Sequence, residues 1–548
     1  MRSHWKAIAL VVLAGTLAYF NCLGNEMFWD DDDFILKNRY IKDWQFFPRF
    51  FSENLVAGGY LISNYWRPLL LTVFSIEWHL WKDWVYGWHA VSVAMHIAAG
   101  IALYFLLNRL FAHRVLALLT ALLFVVHPTH NEAVAYVNSM GDALAALLVF
   151  LGLIFYARSG SEKSRPVSHW LNRDYWIAIA FFPLAVMVKE TGFVLCGLVP
   201  LTEFLLFQSG KTLPERIRRT AAKAWPFIAM AVIYVILRGT VLNFANSFNF
   251  FNEENEFTSN IGIRLMTFFK AMAQYAGFLF LPYELRVERE LAWAKSVFEW
   301  DVLLGGVIVS GMLWSGWHFW KQKPWVSWGI GWFFISIAPT SNVLVPINAV
   351  IYEHFLYIPM VGIIFIVISL CLGWSKKRGL DRTFLKIFAV VLVVFCLINL
   401  RRNTDWRTAI GFYEQLVTYS PSYRVINNLG MEYADKGIHD KAEYWYNRAI
   451  AMDPKNPVAY HNIAGTYRDT GRLDLAIAAF QKAIELDNRF IFSYRSLAVL
   501  YYQLGNLPEA RRYLQVLVDF DPQDQSARQS LEMLDQIREG LGDVVACA

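Results

Sequence analysis

The chain has 548 residues, and its 50 Lys and Arg exceed its 45 Asp and Glu by too little to imply a nucleic-acid partner. Hydrophobic residues make up 56% and charged residues only 17%, with 22 Trp, 26 Tyr and 42 Phe, which excludes an ordinary soluble domain and indicates a membrane protein. Cys22, Cys196, Cys371, Cys396 and Cys547 are far apart and form no CxxC or zinc-like spacing with His, so neither a disulfide framework nor a structural metal is expected.

Met1 to Lys6 is basic, and the apolar run 5–23 that follows has no small-residue cleavage site, which reads as an uncleaved signal anchor. That run is long enough to cross a bilayer, so Phe28-Trp29-Asp30-Asp31-Asp32-Asp33 places four adjacent carboxylates where the chain leaves the membrane. Adjacent carboxylates repel, which raises the pKa of some of them. Such a run can share a cation or supply a general base beside a hydrogen-bonded partner, and its plain alternative is a solvated loop. The loop 24–87 is rich in aromatics, among them Trp44, Phe46, Phe47, Tyr60, Tyr65, Trp66, Trp78, Trp81 and Trp84. An interfacial belt is the favoured reading, ahead of a wall that stacks on sugar rings or prenyl chains.

Apolar runs of roughly 17 to 25 residues lie near 5–23, 88–111, 115–133, 142–158, 175–189, 191–208, 224–242, 301–320, 325–340, 352–373 and 384–400, about eleven spans in all. Short loops rich in Lys and Arg mark the cytoplasmic side. Arg114, then Arg158, Lys163, Arg165 and Arg173, then Lys211 to Lys223, then Lys321 and Lys323, then Lys376 to Arg382 all fall on the side of the N-terminus. The segment 265–282 is apolar but short and carries Lys270 and Gln274, so a re-entrant or interfacial element on the far side is expected. The acidic run, the loops 24–87 and 243–300 and the C-terminal region then face away from the cytoplasm.

Ionisable residues at span ends are costly and count as functional candidates. His127, His130 and Glu132 end the third span, Asp142 opens the fourth, Lys189 and Glu190 separate the fifth from the sixth, and Glu353 and His354 open the tenth. This topology gathers them at the membrane face that carries the acidic run. Each also has a structural reading: Lys189 and Glu190 as local ion-pair partners, His127 as the partner of a carbonyl freed beside Pro128.

After Leu400 the apolar runs stop and a period of 34 residues begins. Gly430, Tyr433, Ala442, Tyr446, Ala449 and Pro454 recur as Ala464, Tyr467, Ala476, Phe480, Ala483 and Asn488, and again as Ala498, Tyr501, Ala510, Leu514, Leu517 and Pro522. These are tetratricopeptide repeats at 423–456, 457–490 and 491–524, preceded by a partial repeat at Ala409, Tyr413 and Pro421 and followed by a closing helix at 524–538. The reading is an all-α chain with a membrane helical bundle over 1–403 and an α-solenoid over 404–540. With little linker after Arg401, the repeats are expected to dock on the outer face of the bundle and to bind protein or peptide, a structural cap being the alternative.

FWDDDDFILKN, YWRPLL, HPTHNEAVAYVNSMGD, KETG and SNVLVPINAVIYEHFLYIPMVG, in this order and followed by the repeats, resemble the transmembrane and tetratricopeptide-repeat-containing O-mannosyltransferases and their bacterial relatives, which are C-type glycosyltransferases. The sequence departs from that family at Met140 and His354, where the family usually has arginine. The resemblance implies a sugar, mannose or a similar hexose, taken from a polyprenyl phosphate on the non-cytoplasmic side and passed with inversion to a hydroxyl, Ser or Thr of a protein. It further implies Asp30 as general base and Asp31 as its orienting partner, with Asp32 as the alternative within this run, with Arg67, Lys189, Arg286, Arg289 and His354 as candidates for the phosphate, and no cofactor, a divalent cation being possible but not favoured. The setting is a bacterial inner membrane with periplasmic repeats, or an endoplasmic reticulum with lumenal ones. Rival readings are a transferase acting on a lipid-linked or surface glycan, a non-catalytic scaffold, and a transporter, which would place its ionisable groups near the midplane.

Overall fold

The computed structural model describes residues 4–160, 172–208, 211–245, 255–347 apart from 283, 284, 288 and 290, 349–521 and 524–546. Lys163, Arg165, Pro522 and Cys547 lie outside the described residues. Among the described residues the secondary structure is helix and turn without strand, and the chain divides into two compact units, Met1–Thr408 and Ala409–Ala548.

In the first unit seven helical stretches of the described residues are long and apolar enough to cross a membrane: Trp5–Cys22, Val85–Phe111, Val137–Ser159, Leu213–Gly239, Trp300–Phe319, Met360–Arg378 and Asp381–Arg402. Arg114–Val126 with Pro128–Ala135 is an eighth if a pair bent by 53° is taken as one span. The bend falls at Pro128, which lacks the N–H a continuing helix needs. Three expected spans, 175–189, 191–208 and 325–340, are shorter helices of 16, 12 and 14 residues, Arg173–Val188, Leu195–Leu206 and Pro324–Ile337. At about 1.5 Å per residue none covers the roughly 30 Å hydrocarbon thickness as regular helix.

The reason is local: the chain passes from Val188 to Leu195 through a tight turn at Glu190–Val194. Gly192 permits it, since a Cβ there would meet the Ala185 carbonyl carbon at 2.4 Å. The segment expected to be re-entrant or interfacial is one uninterrupted helix, Ile261–Phe280, without the backbone break of a re-entrant element. It lies against Trp300–Phe319 so closely that a Cβ on Gly305 would collide with the Phe269 carbonyl oxygen at 1.7 Å.

The loop 24–87 is not a belt alone. Phe34, Ile35, Tyr40, Ile41, Phe50 and Leu55 pack with Leu70, Leu71 and Phe74 of the helix Pro68–Trp81, and this cluster closes on Trp88, Val137 and Met140. Trp44, Tyr60 and Trp84 remain exposed, as a belt requires, whereas Trp66 is buried. The loop is thereby a packed lid joined to the start of the helix Met140–Ser159.

A group of asparagines ties the first helix, the bend and the last helix together. Asn403 Nδ2 donates to Ala18 O at 3.0 Å and to Asn21 Oδ1 at 2.6 Å, and Asn131 Nδ2 donates to Asn403 Oδ1 at 2.7 Å. Asn399 Nδ2 takes the Val126 carbonyl at 2.8 Å. Carbonyls at helix ends lack intrahelical partners, and in apolar surroundings these amides supply them.

In the second unit the helix pairs are Tyr423–Asp435 with His439–Met452, Pro457–Asp469 with Leu473–Leu486, and Ile491–Gln503 with Leu507–Phe520. Ala409–Tyr419 precedes them and Gln525–Ala546 follows. A Cβ on Gly430 would strike the Tyr446 ring at 2.7 Å, which is why the aromatic of the second helix needs a small residue in the first.

Candidate active site

The acidic run is set by an irregular turn. Trp29 stands at φ 62°, Asp31 N–H donates to Phe28 O at 3.2 Å, and Asp32 N–H donates to Trp29 O at 3.1 Å before the helical turn Asp32–Leu36 begins. The four carboxylates therefore meet different surroundings. Asp31 is 2% exposed, and its Oδ1 accepts the Asn138 N–H at 2.8 Å. Burial pushes its carboxyl well above the usual range; the Asn138 N–H pulls it back in part, and the neighbouring Asp30 and Asp32 push it further up. Asp33, half-buried, is raised by the same loss of solvent, against the opposing charge of Lys37. Asp32 pairs with Lys37 at 3.2 Å near the surface. Asp30 is partly exposed, and its N–H donates to the Tyr136 hydroxyl at 3.0 Å.

One short stretch thus holds both acids: Tyr136 grips the backbone of Asp30, and Asn138 grips the side chain of Asp31. A buried acid with a raised carboxyl beside one open to solvent is an arrangement by which two carboxyl groups take different roles. Behind them the rings of Trp29, Tyr136 and Trp406 lie nearly parallel, Trp29 at 5.5 Å from Tyr136 and Tyr136 at 5.2 Å from Trp406.

The other candidates form ion pairs. Arg67, buried, donates through Nη2 and Nε to Glu190 Oε2 at 2.7 and 3.1 Å, with its guanidinium over the Tyr65 ring at 4.3 Å. Burial alone would raise the Glu190 carboxyl, but the Arg67 charge and hydrogen bonds outweigh it and hold it below the usual range. Lys189 Nζ donates to Asp142 Oδ2 at 2.6 Å. His354 Nδ1 lies 2.9 Å from Glu132 Oε1, and Arg402 Nη2 lies 2.8 Å from Glu353 Oε2.

Arg286 and Arg289 meet Glu353 differently: the Arg286 backbone N–H bonds to it, the Arg289 charge acts on it, and the Arg289 guanidinium covers the Phe278 ring at 4.6 Å. Arg67 and Lys189 are thus neutralised where they stand, so a donor phosphate would have to exchange with a carboxylate to reach them. His127 bonds to Thr129 Oγ1 at 2.9 Å and Leu279 O at 3.2 Å, and His130 bonds to Phe124 O at 2.8 Å in an aromatic core with Tyr357. Both imidazoles are held by neighbouring oxygens. Met140 is fully buried in the apolar cluster of the lid. Among the described residues no group of three or more His, Cys, Asp or Glu converges as metal ligands would.

Tyr136, Asn138, Arg402 and Trp406 were not among the sequence candidates. Tyr136 and Asn138 lie inside HPTHNEAVAYVNSMGD, and Arg402 is an ionisable residue at a span end, so a signal for these three was present. Trp406 carried none.

Two family models, each described as tetratricopeptide repeat, match residues 398–457 and 457–523. Over most of its length the chain is similar to a protein O-mannosyl-transferase of Caenorhabditis elegans, at 24% identity over 461 residues that cover 82% of this chain and 63% of that protein. Over most of its length the chain is thus similar to protein O-mannosyl-transferases. To the protein O-mannosyl-transferase TMTC4 of Homo sapiens it is 24% identical over 444 residues, covering 71% of this chain and 59% of that one. The chain therefore spans about three fifths of the length of these transferases. A solved structure described as the first TPR of Spaghetti (RPAP3) bound to an HSP90 peptide is similar over 22% of this chain and 95% of its own, at 23% identity and TM-score 0.21. The chain is a multi-pass membrane protein with tetratricopeptide repeats towards its C-terminal end.

Proposed function

We propose that the chain is a glycosyltransferase that moves mannose or a similar hexose from a polyprenyl-phosphate donor to a Ser or Thr hydroxyl of a protein, on the non-cytoplasmic face and with inversion. The observation that carries this is the unequal pair Asp30 and Asp31, one partly exposed and one buried with a raised carboxyl, in the loop that follows the first span. In this reading the acceptor oxygen forms its bond to the sugar's anomeric carbon as the bond from that carbon to the phosphate oxygen breaks. The acceptor's proton passes to Asp30, and the electron pair leaves on the phosphate. Asp31, buried beside it, steadies Asp30, while Arg286, Arg289 and His354 stand with the paired Arg67 and Lys189 as candidates to receive the phosphate.

Kinship with transferases named for O-mannosylation of protein supports the acceptor class, and the repeats supply a surface for it. Tethered by a few residues after the last span, a segment bound to the repeats is kept at high local concentration. The test is incubation of the purified chain in lipid nanodiscs with radiolabelled polyprenyl-phosphate mannose and either a Ser/Thr-rich protein or a lipid-linked glycan. Label on protein, lost in Asp30→Asn, supports the proposal; label on the glycan alone moves the acceptor to the other class. A reporter at Ala548 that is active only in the cytoplasm tests the topology, and activity there would overturn the proposed side.

A further inference from the structure

The residues that follow the last span are built into the acidic loop. Asn403 O accepts the Asn25 side-chain amide at 3.0 Å, and Arg407 O accepts the Glu26 N–H at 3.1 Å, so the segment 403–407 runs beside residues 25 and 26. Trp406, 1% exposed, fills the space behind the acids. Its indole is 10° from parallel to the Tyr136 ring at 5.2 Å, 21° from parallel to Trp29 at 6.4 Å, and tilted against Phe28 at 6.1 Å. Tyr136 is the residue whose hydroxyl takes the Asp30 N–H, and two residues further on the Asn138 N–H holds Asp31.

Trp29 stands in left-handed backbone at φ 62°, a conformation that a bulky side chain keeps only when its surroundings fix it. The surroundings that fix it are the rings of Tyr136 and Trp406. Removing the Trp406 indole would open a cavity under this stack, and neighbouring groups collapse only partly into such cavities. Trp29 would then be free to leave its strained conformation, and Asp30 and Asp31 follow it directly in the chain.

We propose that Trp406 is a positioning residue for the Asp30–Asp31 pair, acting through Tyr136 and Trp29 to hold the acid run where Asp30 meets the acceptor hydroxyl. This rests on the glycosyl transfer proposed above, and it makes the stretch between the last span and the first repeat helix part of the catalytic unit.

The test uses the full-length chain in nanodiscs with Trp406→Leu, Trp406→Phe and Asp30→Asn. One readout is transfer from radiolabelled polyprenyl-phosphate mannose; a second is modification of Asp31 by a water-soluble carbodiimide, located by peptide mass spectrometry. Trp406→Leu is expected to lower kcat about 100-fold with donor affinity within about threefold of wild type, and to render Asp31 reactive. Trp406→Phe, which restores a ring, should recover most of the rate and the protection of Asp31.

Wild-type turnover in Trp406→Leu, loss of donor binding in step with kcat, or an Asp31 that stays protected would each overturn the positioning role. Failure of the phenylalanine to rescue would do the same. If Asp31 becomes reactive as expected but the wild-type chain transfers no sugar, the proposed chemistry is wrong and the positioning of the acids stands.

Discussion

Asp31 Oδ1 accepts the backbone N–H of Asn138 at 2.8 Å, across a separation of 107 residues. The bond pins the buried acid to the start of the fourth expected span and leaves Asp30, one residue earlier, partly open. Asp30→Asn keeps the shape of the side chain and loses the proton acceptor. Transfer is expected to fall roughly 100- to 10,000-fold with donor binding nearly unchanged, the range for loss of a positioned base. Kinetics of the purified variant decide this, and near wild-type turnover would reassign the base. Asp33→Asn, outside the pair, is expected to keep most of the activity.

The raised carboxyl of Asp31 has a consequence for stability against pH. Its native value lies above the unfolded one of about 3.9, so the folded chain retains a proton that the unfolded chain has released. That contribution is fully present below the unfolded value and is lost as pH rises through the native value. Asp31→Asn keeps an acceptor for Asn138 and removes the charge. Its thermal stability in detergent is expected to exceed that of wild type by a margin that grows from pH 5 to pH 8. A constant margin would show that Asp31 does not titrate in the folded state over this range.

Arg402 and Glu353 are both buried, with side-chain exposures of 9% and 1%. Removing one partner of such a pair strands the other charge, which costs about 3–5 kcal/mol, while replacing both with apolar groups of similar volume is often neutral. Arg402→Met is therefore expected to destabilise the membrane unit strongly, and Arg402→Met with Glu353→Leu to recover part of the loss, since Glu353 also takes the Arg286 backbone N–H and faces the Arg289 charge. Unfolding of these two variants and of Glu353→Leu alone by denaturing detergent measures the cycle. Additive losses would mean that the two residues act independently.

Truncation separates the membrane unit from the repeats only if it is cut in the right place. The first unit ends at Thr408, five residues after the boundary at 403 that composition suggests. Deleting 409–548 is expected to preserve donor binding and transfer to a short peptide, with transfer to full-length protein sharply reduced. Deleting 404–548 also removes Trp406 and the Arg407 carbonyl that Glu26 bonds, and is expected to lose transfer to the short peptide as well. Equal activity of the two truncations would remove any role for residues 404–408.

Gly465 stands inside the helix Pro457–Asp469, and a Cβ there would meet nothing within 4 Å. Glycine in a helix interior costs about 0.5–1 kcal/mol relative to alanine. Gly465→Ala is expected to raise the stability of the repeats by that amount, read from their denaturant midpoint. A lower midpoint would show that the position is crowded in solution.

The repeats were legible in full because a period of 34 residues with small and aromatic positions repeats one packing solution, Gly430 against Tyr446, down the stack. The membrane spans were legible wherever an apolar run coincides with one straight helix. At 175–189, 191–208 and 325–340 the helices are shorter than the apolar runs suggest, because hydropathy counts apolar residues and does not register where a helix stops and turns. Of the candidate site, the acids are marked in the sequence by local charge density, and the structure gives their different surroundings. The partners of Arg67 and Lys189 are set by side chains that approach only in the fold, so the sequence marked the cations without showing that Glu190 and Asp142 occupy them. Trp406 was invisible for the same reason: nothing within a few residues of it distinguishes it from an aromatic at a membrane surface.

The asparagine ties also bear on the order of assembly. Asn403 bonds Ala18 O, Asn21 Oδ1 and Asn131 Nδ2, partners between 272 and 385 residues away in the chain. A chain inserted into the membrane from its N-terminus at about 5–20 residues per second leaves the first helix and the bend at Pro128 waiting tens of seconds for these amides. Until residue 403 has been made, the carbonyls at Ala18 and Val126 lack the amide donors that later hold them, and Trp406 is not yet present to back the acids. Ribosome-bound chains arrested before this point would therefore carry the four aspartates without the framework that holds them, and the acid pair is completed only when the last span has been delivered.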